Sequence, residues 1–447
     1  MRVYTVNTMK YTFGRALAVC ACVAIPVLTL NLLCYKALPT VQPVWLDNLG
    51  VPASGIALVT ATIPSILCFF LCPIISTLSD KTRSKYGRRL PYLFWSTPTM
   101  ILLPICMAWS SEIGAAAAAL FHVECTRSME QLVLCIFIIA FQAIYLIPAS
   151  IIYYLYADVI PKQWVGRFVA VMTVFGTLVT FVFNTFLLKY ALDYSKLSFV
   201  VLGCLYGAAF VTMCLVVKEG SYPPVEDHIA GKLTERCADY ITLYFRQGFR
   251  HKIFFFLFLT TALNQASTVC RNMFNLLFAV KELALTKEQF GEIIGWSSVV
   301  AAIIVIPVGR LMDAIRPIRI YFFGGLIVIA VNIWGYFFVS SYITFAVIGW
   351  MMTLVYAIQF LGNMPMLIEL LPPDKFGQFA SINSMINSLV MIVGSYLGGL
   401  CIEHFGYRFM FLWDAGVTTL ASISLLIVFR EWKRYGGPHA YRPPDTN

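Results

Sequence analysis

Charged residues are scarce in this chain. They make up 12% of its 447 residues, whereas soluble globular proteins carry about 25%. Hydrophobic residues account for 60% of the sequence, and the mean hydropathy is +0.79. The composition therefore excludes a soluble globular fold and predicts a chain that crosses a membrane several times.

Histidine is rare as well, and the motifs of two membrane-protein classes are missing. The five histidines are scattered near loops or tails, which disfavours a membrane metalloenzyme. No nucleotide-binding loop of the form GxxxxGK[ST] occurs, which argues against an ATP-driven pump. We expect no enzymatic activity, no metal and no cofactor.

The thirteen cysteines and the net charge of +10 indicate neither a disulfide scaffold nor a nucleic-acid partner. Most of the cysteines lie inside apolar segments and lack the spacing of metal ligands, as small packing residues do. The basic residues lie in short loops between apolar runs rather than on one folded surface. We therefore interpret the charge as a topology signal.

Twelve apolar runs of about 20 residues are long enough to span a bilayer. Six precede a polar interruption, at 15–38, 54–78, 90–111, 131–156, 168–190 and 196–217, and six follow it, at 253–280, 290–311, 318–338, 342–366, 379–402 and 408–429. We predict an all-α integral membrane protein with twelve transmembrane helices in two pseudo-symmetric six-helix bundles. The predicted divisions are an N-terminal bundle (1–217), a cytoplasmic linker (218–252), a C-terminal bundle (253–429) and a cytoplasmic tail (430–447). Within the linker, a plain connection and a surface amphipathic helix fit equally well.

The distribution of Lys and Arg predicts that both termini are cytoplasmic, and we expect the protein to lie in the cell (inner) membrane. Of the 32 basic residues, 24 fall on the side of the termini, 7 on the other side and one within a span. Basic residues accumulate in cytoplasmic loops. The densest such loop follows span two and contains Asp80, Lys81, Arg83, Lys85, Arg88 and Arg89.

The second half of the chain repeats the first. The loops after spans four and ten match at an offset of 211 residues, with Asp158, Pro161, Gly166 and Phe168 in one and Glu369, Pro372, Gly377 and Phe379 in the other. The loop after span eight, which contains Gly309 and Asp313, is the counterpart of the loop after span two. Parallel six-helix halves are typical of many secondary transporters, whose substrate binds between them.

The repeated loops contain candidate gating residues. An acid beside a helix terminus can bind that terminus or an arginine of another loop, and such charge-assisted bonds close a face that must later open. The predicted gating set comprises Asp80, Arg83, Gly87, Arg88, Arg89, Asp158, Gly166, Arg167, Gly309, Asp313, Glu369 and Gly377. The alternative is that these residues cap helices and set the topology.

Polar side chains inside the spans are candidates for solute binding, because such groups in hydrocarbon face a cavity or one another. The clearest stripe is Asn264, Thr268, Arg271 and Asn275, which share one helix face. The other predicted binding residues are Asn31, Tyr35, Gln142, Tyr145, Asn184, Tyr356, Gln359, Asn363 and Asn387. Amides, hydroxyls and aromatic rings suit a sugar. The alternative is that these groups bond helix to helix or to their own backbone.

Arg271 has three interpretations, because a lone arginine in an apolar span is costly. It pairs with an acid such as Glu292 or Asp414, it binds an anionic group of the substrate, or it extends to the membrane interface. Glu292 and Asp414 are also the candidates to carry a coupling proton. The alternative for both acids is a place at the membrane boundary.

The stretch from Asp80 through Gly87, Arg88, Arg89 and Pro91 resembles the loop of the major facilitator superfamily, in the longer form of the glycoside-pentoside-hexuronide:cation symporters and sucrose-transporter-like proteins. The resemblance implies a monomeric secondary transporter that moves a sugar or glycoside, with a proton, by alternating access. Ser76 stands where the general motif has glycine. Residues 54–78 lack the paired acids with which melibiose-type members bind sodium, so a sodium site is not implied.

Two further functions remain compatible with the sequence. The first is an uncoupled facilitator or an exporter of another small polar or anionic solute. The second is a membrane receptor or scaffold that uses the same fold without transport, since a fold does not fix a function.

Overall fold

The computed structural model describes residues 4–6, 9–122, 126–220, 251–315, 317–372, 376–437, 441 and 443–444. Most of the predicted linker 218–252 lies outside these residues. By its internal contacts the chain divides into two compact units, one comprising Met1–Glu226 and Phe290–Gly295 and the other Asp227–Gln289 and Trp296–Asn447.

The first unit begins with an antiparallel hairpin, β1 (Tyr4–Val6) and β2 (Met9–Tyr11), in which Val6 pairs with Met9. Its helices are α1 (Phe13–Asn48), α2 (53–81), α3 (Leu90–Ala108), α4 (Ser110–Leu120), α5 (Thr126–Val159), α6 (162–193) and α7 (Ser195–Val216). Three of them contain π-helical segments, which are Asn31–Ala37 in α1, Leu58–Thr62 in α2 and Phe183–Leu187 in α6.

The second unit contains the remaining spans, except for Phe290–Gly295, which belong to the first unit. Its helices are α8 (Lys252–Ser267), α9 (Val269–Lys281), α10 (Lys287–Ile315), α11 (Pro317–Phe338), α12 (Tyr342–Leu370), α13 (Phe376–Phe405) and α14 (Phe409–Arg434). Helices α8 and α9 together occupy the predicted span seven, which is interrupted at Thr268.

The predicted all-helical membrane fold is confirmed. In the described residues, eleven helices are long and apolar enough to cross a membrane, and they lie at predicted spans one to seven and nine to twelve. Helix α10, with 29 residues, lies at the position of span eight. The hydropathy signal succeeds because a spanning segment must be both apolar and about 20 residues long.

Helix α1 differs from the prediction, since it continues to Asn48 rather than ending near residue 38. The prediction ended where Pro39, Gln42 and Pro43 follow. Proline is tolerated in membrane helices when local π adjustments accommodate the lost backbone hydrogen bond. The π segment Asn31–Ala37 immediately precedes Pro39, which is consistent with such an adjustment.

The packing of the second unit places span seven beside span twelve. Helix α8 packs against α14 and α13, while α11 packs against α12 and α14. The core that joins them is rich in aromatic residues, and Phe254, Phe258, Phe379 and Trp432 are fully buried in it. These contacts set α9 and α14 close enough for their polar side chains to meet.

Candidate functional site

An arginine and an aspartate form an ion pair inside the second unit. Arg271 on α9 donates from Nε to Oδ2 of Asp414 on α14 at 3.4 Å. Asp414 is 0% exposed and Arg271 is 8% exposed. A buried charge is costly unless it is paired, so each residue stabilises the other. Of the three interpretations of Arg271, the structure agrees with the first, in which the arginine pairs with an acid, and that acid is Asp414.

Two hydroxyl groups complete the surroundings of the aspartate. The Tyr356 hydroxyl on α12 donates to Oδ2 of Asp414. The Thr418 hydroxyl, one helical turn further along α14, donates to Oδ1 at 3.4 Å. Both carboxylate oxygens therefore accept hydrogen bonds, as expected for a buried charged group.

The arginine has two further partners that the sequence interpretation missed. Its Nη2 donates to Oδ1 of Asn332 on α11 at 2.5 Å, and its guanidinium carbon lies 5.0 Å from the centre of the Phe411 ring. The signal for Asn332 was present, since it is a lone amide in an otherwise apolar span. Four helices, α9, α11, α12 and α14, thus contribute to one cluster of charged and polar groups.

Four of the predicted solute-binding residues have buried polar atoms without a hydrogen-bond partner in the structure. These atoms are Oδ1 of Asn264, Asn275 and Asn363 and Nε2 of Gln359. They are four of the seven such side-chain atoms among the described residues. An unpartnered buried polar group costs about 1–3 kcal/mol, so water or a bound solute is expected to supply the missing bonds.

Other predicted binding residues of the second unit bond within the protein. The Thr261 hydroxyl donates to Oδ1 of Asn387 at 3.3 Å, and the Thr268 hydroxyl donates to the carbonyl of Gln265 at 3.1 Å. Gln359, whose Nε2 lacks a partner, nevertheless packs against Gly324, because a Cβ added to that glycine would lie 3.2 Å from Cγ of Gln359. These side chains therefore contact a neighbouring helix or their own backbone, as the alternative interpretation expects.

In the first unit, two predicted residues form an aromatic pair. The rings of Tyr35 and Tyr145 meet edge to face, with centroids 5.9 Å apart, and Phe141 stacks on Tyr145 at 6.0 Å. Tyr35 is 41% exposed within the chain. Gln142 lies on the same helix, α5, and is half-buried.

Two predicted amides of the first unit lie in π-helical segments. Asn31 and Tyr35 belong to the segment Asn31–Ala37, and Asn184 belongs to Phe183–Leu187, where its Nδ2 donates to the carbonyl of Thr180 at 2.9 Å. Such segments occur frequently at functional sites. The threonines of span five bond in the same way as Asn184, to the backbone one turn back, as the Thr177 hydroxyl does to the carbonyl of Thr173 at 3.0 Å.

The basic loop, residues 80–89, is tied to α5 by a buried acid. Arg88 donates to Asp158 from Nη2 to Oδ1 at 2.7 Å and from Nε to Oδ2 at 3.1 Å. Arg89 donates from Nε to the same Oδ2 at 3.4 Å. Asp158 is buried, and two arginines on one carboxylate form a strong charge-assisted contact.

Glu219 holds the other side of the basic loop and was not predicted. Its carboxylate accepts from the backbone N–H groups of Arg88, Arg89 and Leu90 at 2.8, 2.9 and 2.7 Å. These are the free donors at the start of α3, where an anion is favoured. Gly87 has φ +113°, and a Cβ there would lie 2.6 Å from Cδ of Glu219, so the site requires glycine.

The remaining predicted gating and coupling residues differ in their exposure. Arg83 and Arg167 are exposed, Glu369 is half-buried, and Glu292 on α10 is exposed. The side chains of Asp80 and Asp313, and the surroundings of Gly166, Gly309 and Gly377, lie outside the described residues.

The chain is similar to known proteins both in sequence and in three-dimensional structure. Residues 254–444 match the model of the Major Facilitator Superfamily. No curated protein matches the sequence. Among solved structures, the nucleoside transporter NupG is 14% identical, with 94% of this chain and 100% of that chain covered and a TM-score of 0.62.

Two further structures are similar to the same extent. A bacterial homolog of the human lysosomal transporter Spinster, inward-facing and occupied, is 13% identical, with 95% of this chain and 99% of that chain covered and a TM-score of 0.66. The peptide transporter POT in complex with sulfate is 12% identical, with 94% and 95% covered and a TM-score of 0.66. These similarities confirm the predicted major facilitator fold.

Proposed function

We propose that this protein is a secondary active transporter of the major facilitator superfamily that moves a sugar or glycoside together with a proton. The fold, the match of the second half to the superfamily and the transporter structures that share the architecture support transport. We further propose that the protein acts as a monomer in the cell membrane, with both termini cytoplasmic and the two bundles alternating access.

The observation that carries the proposal is the buried Asp414, held by Arg271 and Tyr356. A carboxylate in a low-dielectric site binds a proton when its positive partner moves away, and it releases that proton when the partner returns. Asp414 is therefore the group that we assign to proton coupling. Glu292 suits the role less well, because its exposed side chain lacks such surroundings.

The unpartnered amides are the groups that we assign to solute binding. Asn264, Asn275 and Asn363 each have a buried acceptor oxygen that lacks a donor, and sugar hydroxyls supply donors in the required number. In the first unit, Tyr35 and Tyr145 offer aromatic surfaces of the kind that stack on the apolar face of a pyranose ring.

We assign the basic loop a mechanical role. Its bonds to Asp158 connect the loop to α5. Its bonds to Glu219 connect the loop and the start of α3 to the residues that follow α7. This end of the first unit therefore moves as one body during alternating access. Asp158, Arg88 and Arg89 act as gating residues by keeping that end rigid.

Transport by purified protein in proteoliposomes tests the proposal. Labelled monosaccharides, disaccharides, nucleosides and dipeptides are offered with and without an imposed pH gradient. We expect uptake of a sugar or glycoside that the gradient stimulates several-fold, and loss of that stimulation in Asp414→Asn but not in the control Glu292→Gln. Uptake of nucleosides or dipeptides alone would refute the sugar assignment.

The same experiment separates the alternatives. Equal uptake with and without the gradient would identify an uncoupled facilitator, and the coupling role of Asp414 would then be wrong. Binding of a solute without any uptake would indicate a receptor on the same fold.

A further inference from the structure

The interruption of span seven leaves backbone carbonyl groups that need partners in the membrane interior. The carbonyl of Asn264 accepts from the Ser267 hydroxyl at 2.9 Å, and that of Gln265 accepts from the Thr268 hydroxyl at 3.1 Å. The next carbonyl, of Ala266, accepts both from the backbone N–H of Thr268 and from the indole Nε1 of Trp413, the latter at 3.0 Å. Irregular backbone at membrane depth persists only where such bonds are made, and Trp413 provides one from a different helix.

Two glycines on α13 shape the position of this indole. A Cβ added to Gly394 would lie 3.2 Å from Cβ of Ala266, and one added to Gly398 would lie 3.4 Å from the Trp413 ring and nearer still to Sγ of Cys270. The spacing Gly-x-x-x-Gly permits close approach of membrane helices. The indole therefore lies in a tight space beside the end of α8.

Trp413 directly precedes Asp414 in the sequence. One turn of α14 therefore binds both α8, before the interruption, and α9, after it. Trp413 binds the last turn of α8 through Ala266, and Asp414 binds α9 through Arg271, its third residue. The direction in which α9 leaves the interruption determines whether Arg271 reaches the carboxylate.

We infer that Trp413 is a positioning residue for the coupling site, because its N–H bond to Ala266 fixes the end of α8, from which α9 departs, and thereby holds Arg271 against Asp414. The effect on proton coupling rests on the function proposed above. The hydrogen bond and the hold on Arg271 do not depend on which solute is carried.

The charged and titratable groups near Asp414 determine the expected sign of the effect. They are Arg271 and Cys270 on α9 and Tyr356 on α12, joined by the polar side chains of Ser267, Asn332 and Thr418. Of these, only Arg271 carries a permanent positive charge, which opposes the binding of a proton to the carboxylate. If Arg271 is less firmly held, half-maximal uptake moves to higher pH, by about one unit.

Two variants remove the N–H donor of Trp413. Trp413→Phe replaces the bicyclic indole by a single ring and so also changes the packing. Replacement by 3-benzothienylalanine keeps the bicyclic shape and removes only the N–H donor. An effect shared by both variants is therefore due to the lost hydrogen bond. Trp334→Phe, at a partly exposed tryptophan of α11, is the matched control.

Hydrogen exchange and thermal unfolding test the structural part without transport. We expect faster exchange of the amides in residues 264–273 in both Trp413 variants and not in the control. We also expect Arg271→Gln to lower Tm by less in the Trp413 background than in the wild type, because the ion pair is already weakened. Unchanged exchange, or equal Tm losses in both backgrounds, would show that the indole only fills space.

The pH profile of uptake tests the functional part. A shift of the midpoint to higher pH in both variants, with the control unchanged, supports the positioning role. An unshifted midpoint despite faster exchange would overturn it. If wild-type uptake shows no pH dependence, the proposed coupling is wrong, and exchange and Tm still decide whether Trp413 positions Arg271.

Discussion

Replacing Asp414 by asparagine removes a charge and little volume, and it leaves Arg271 buried without its counter-ion. Loss of one partner of a buried ion pair costs about 3–5 kcal/mol. The remaining contacts of Arg271 with Asn332 and the Phe411 ring soften the loss, because a desolvated cation–π contact contributes up to about 2 kcal/mol. We therefore expect about 3 kcal/mol, which corresponds to a decrease in Tm of roughly 6–12 °C for a unit of about 200 residues.

A double-mutant cycle measures whether the two charges interact. Thermal unfolding is followed for wild type, Asp414→Asn, Arg271→Gln and the double variant in the same detergent. The double variant buries no charge, so its loss should be smaller than the sum of the single losses by about 2 kcal/mol or more. Additive losses would refute the interaction and, with it, the assignment of Asp414 as the coupling acid.

An exposed ion pair provides the control for this cycle. Glu112 accepts a hydrogen bond from Lys196, which lowers the pKa of its carboxyl below the usual range. The Glu112 side chain is 53% exposed, and exposed pairs contribute about 0–1 kcal/mol. Glu112→Gln should therefore leave Tm nearly unchanged, which distinguishes the effect of burial from the effect of removing any carboxylate.

Three further changes test the other assignments. Asp158→Asn leaves Arg88 and Arg89 without their shared partner, so limited trypsin digestion should cleave at these arginines several-fold faster than in the wild type. Glu219→Gln weakens the binding of three backbone N–H groups, and we expect a loss of about 1–2 kcal/mol in thermal unfolding; an unchanged Tm would contradict this role. Asn264→Ala removes an unpartnered oxygen and also the hydrogen bond between this side chain and Tyr321, so we expect a loss of about 1 kcal/mol in thermal unfolding and a rise of about 10-fold in the KM for the solute; the same loss with unchanged KM would indicate helix packing.

The sequence predicted the spans well because their physical cause is local. Each run of apolar residues must match the bilayer thickness, and this requirement is visible within a window of about 19 residues. Where the outcome depended on a backbone adjustment, as in the continuation of α1 past Pro39 and Pro43, local signals misled. The hairpin Tyr4–Val6 and Met9–Tyr11 was missed because strands of three residues are too short to show a period.

The site was predictable in its residue types and less so in its pairings. A buried arginine requires a partner, so the sequence reduced the choice for Arg271 to a few acids, and the structure brings Asp414 to it. Asn332 and Trp413 lie 61 and 142 positions from Arg271, and no short pattern relates residues so far apart. Helix packing alone determines which of several polar side chains meet.

The polar groups of the second unit fall into two classes, and the division bears on the nature of the solute. The charges of Arg271 and Asp414 are neutralised by each other and bonded to protein groups. By contrast, three amides retain an unpartnered oxygen and one an unpartnered nitrogen, which are Asn264, Asn275, Asn363 and, with the nitrogen, Gln359. A buried acceptor without a donor gains most from a neutral ligand rich in hydroxyl groups, because an anion offers further acceptors and a paired arginine is not free to bind it. The arrangement is consistent with the neutral sugar or glycoside that we propose as solute, and the mutual pairing of the two charges supports the coupling role that we propose for them.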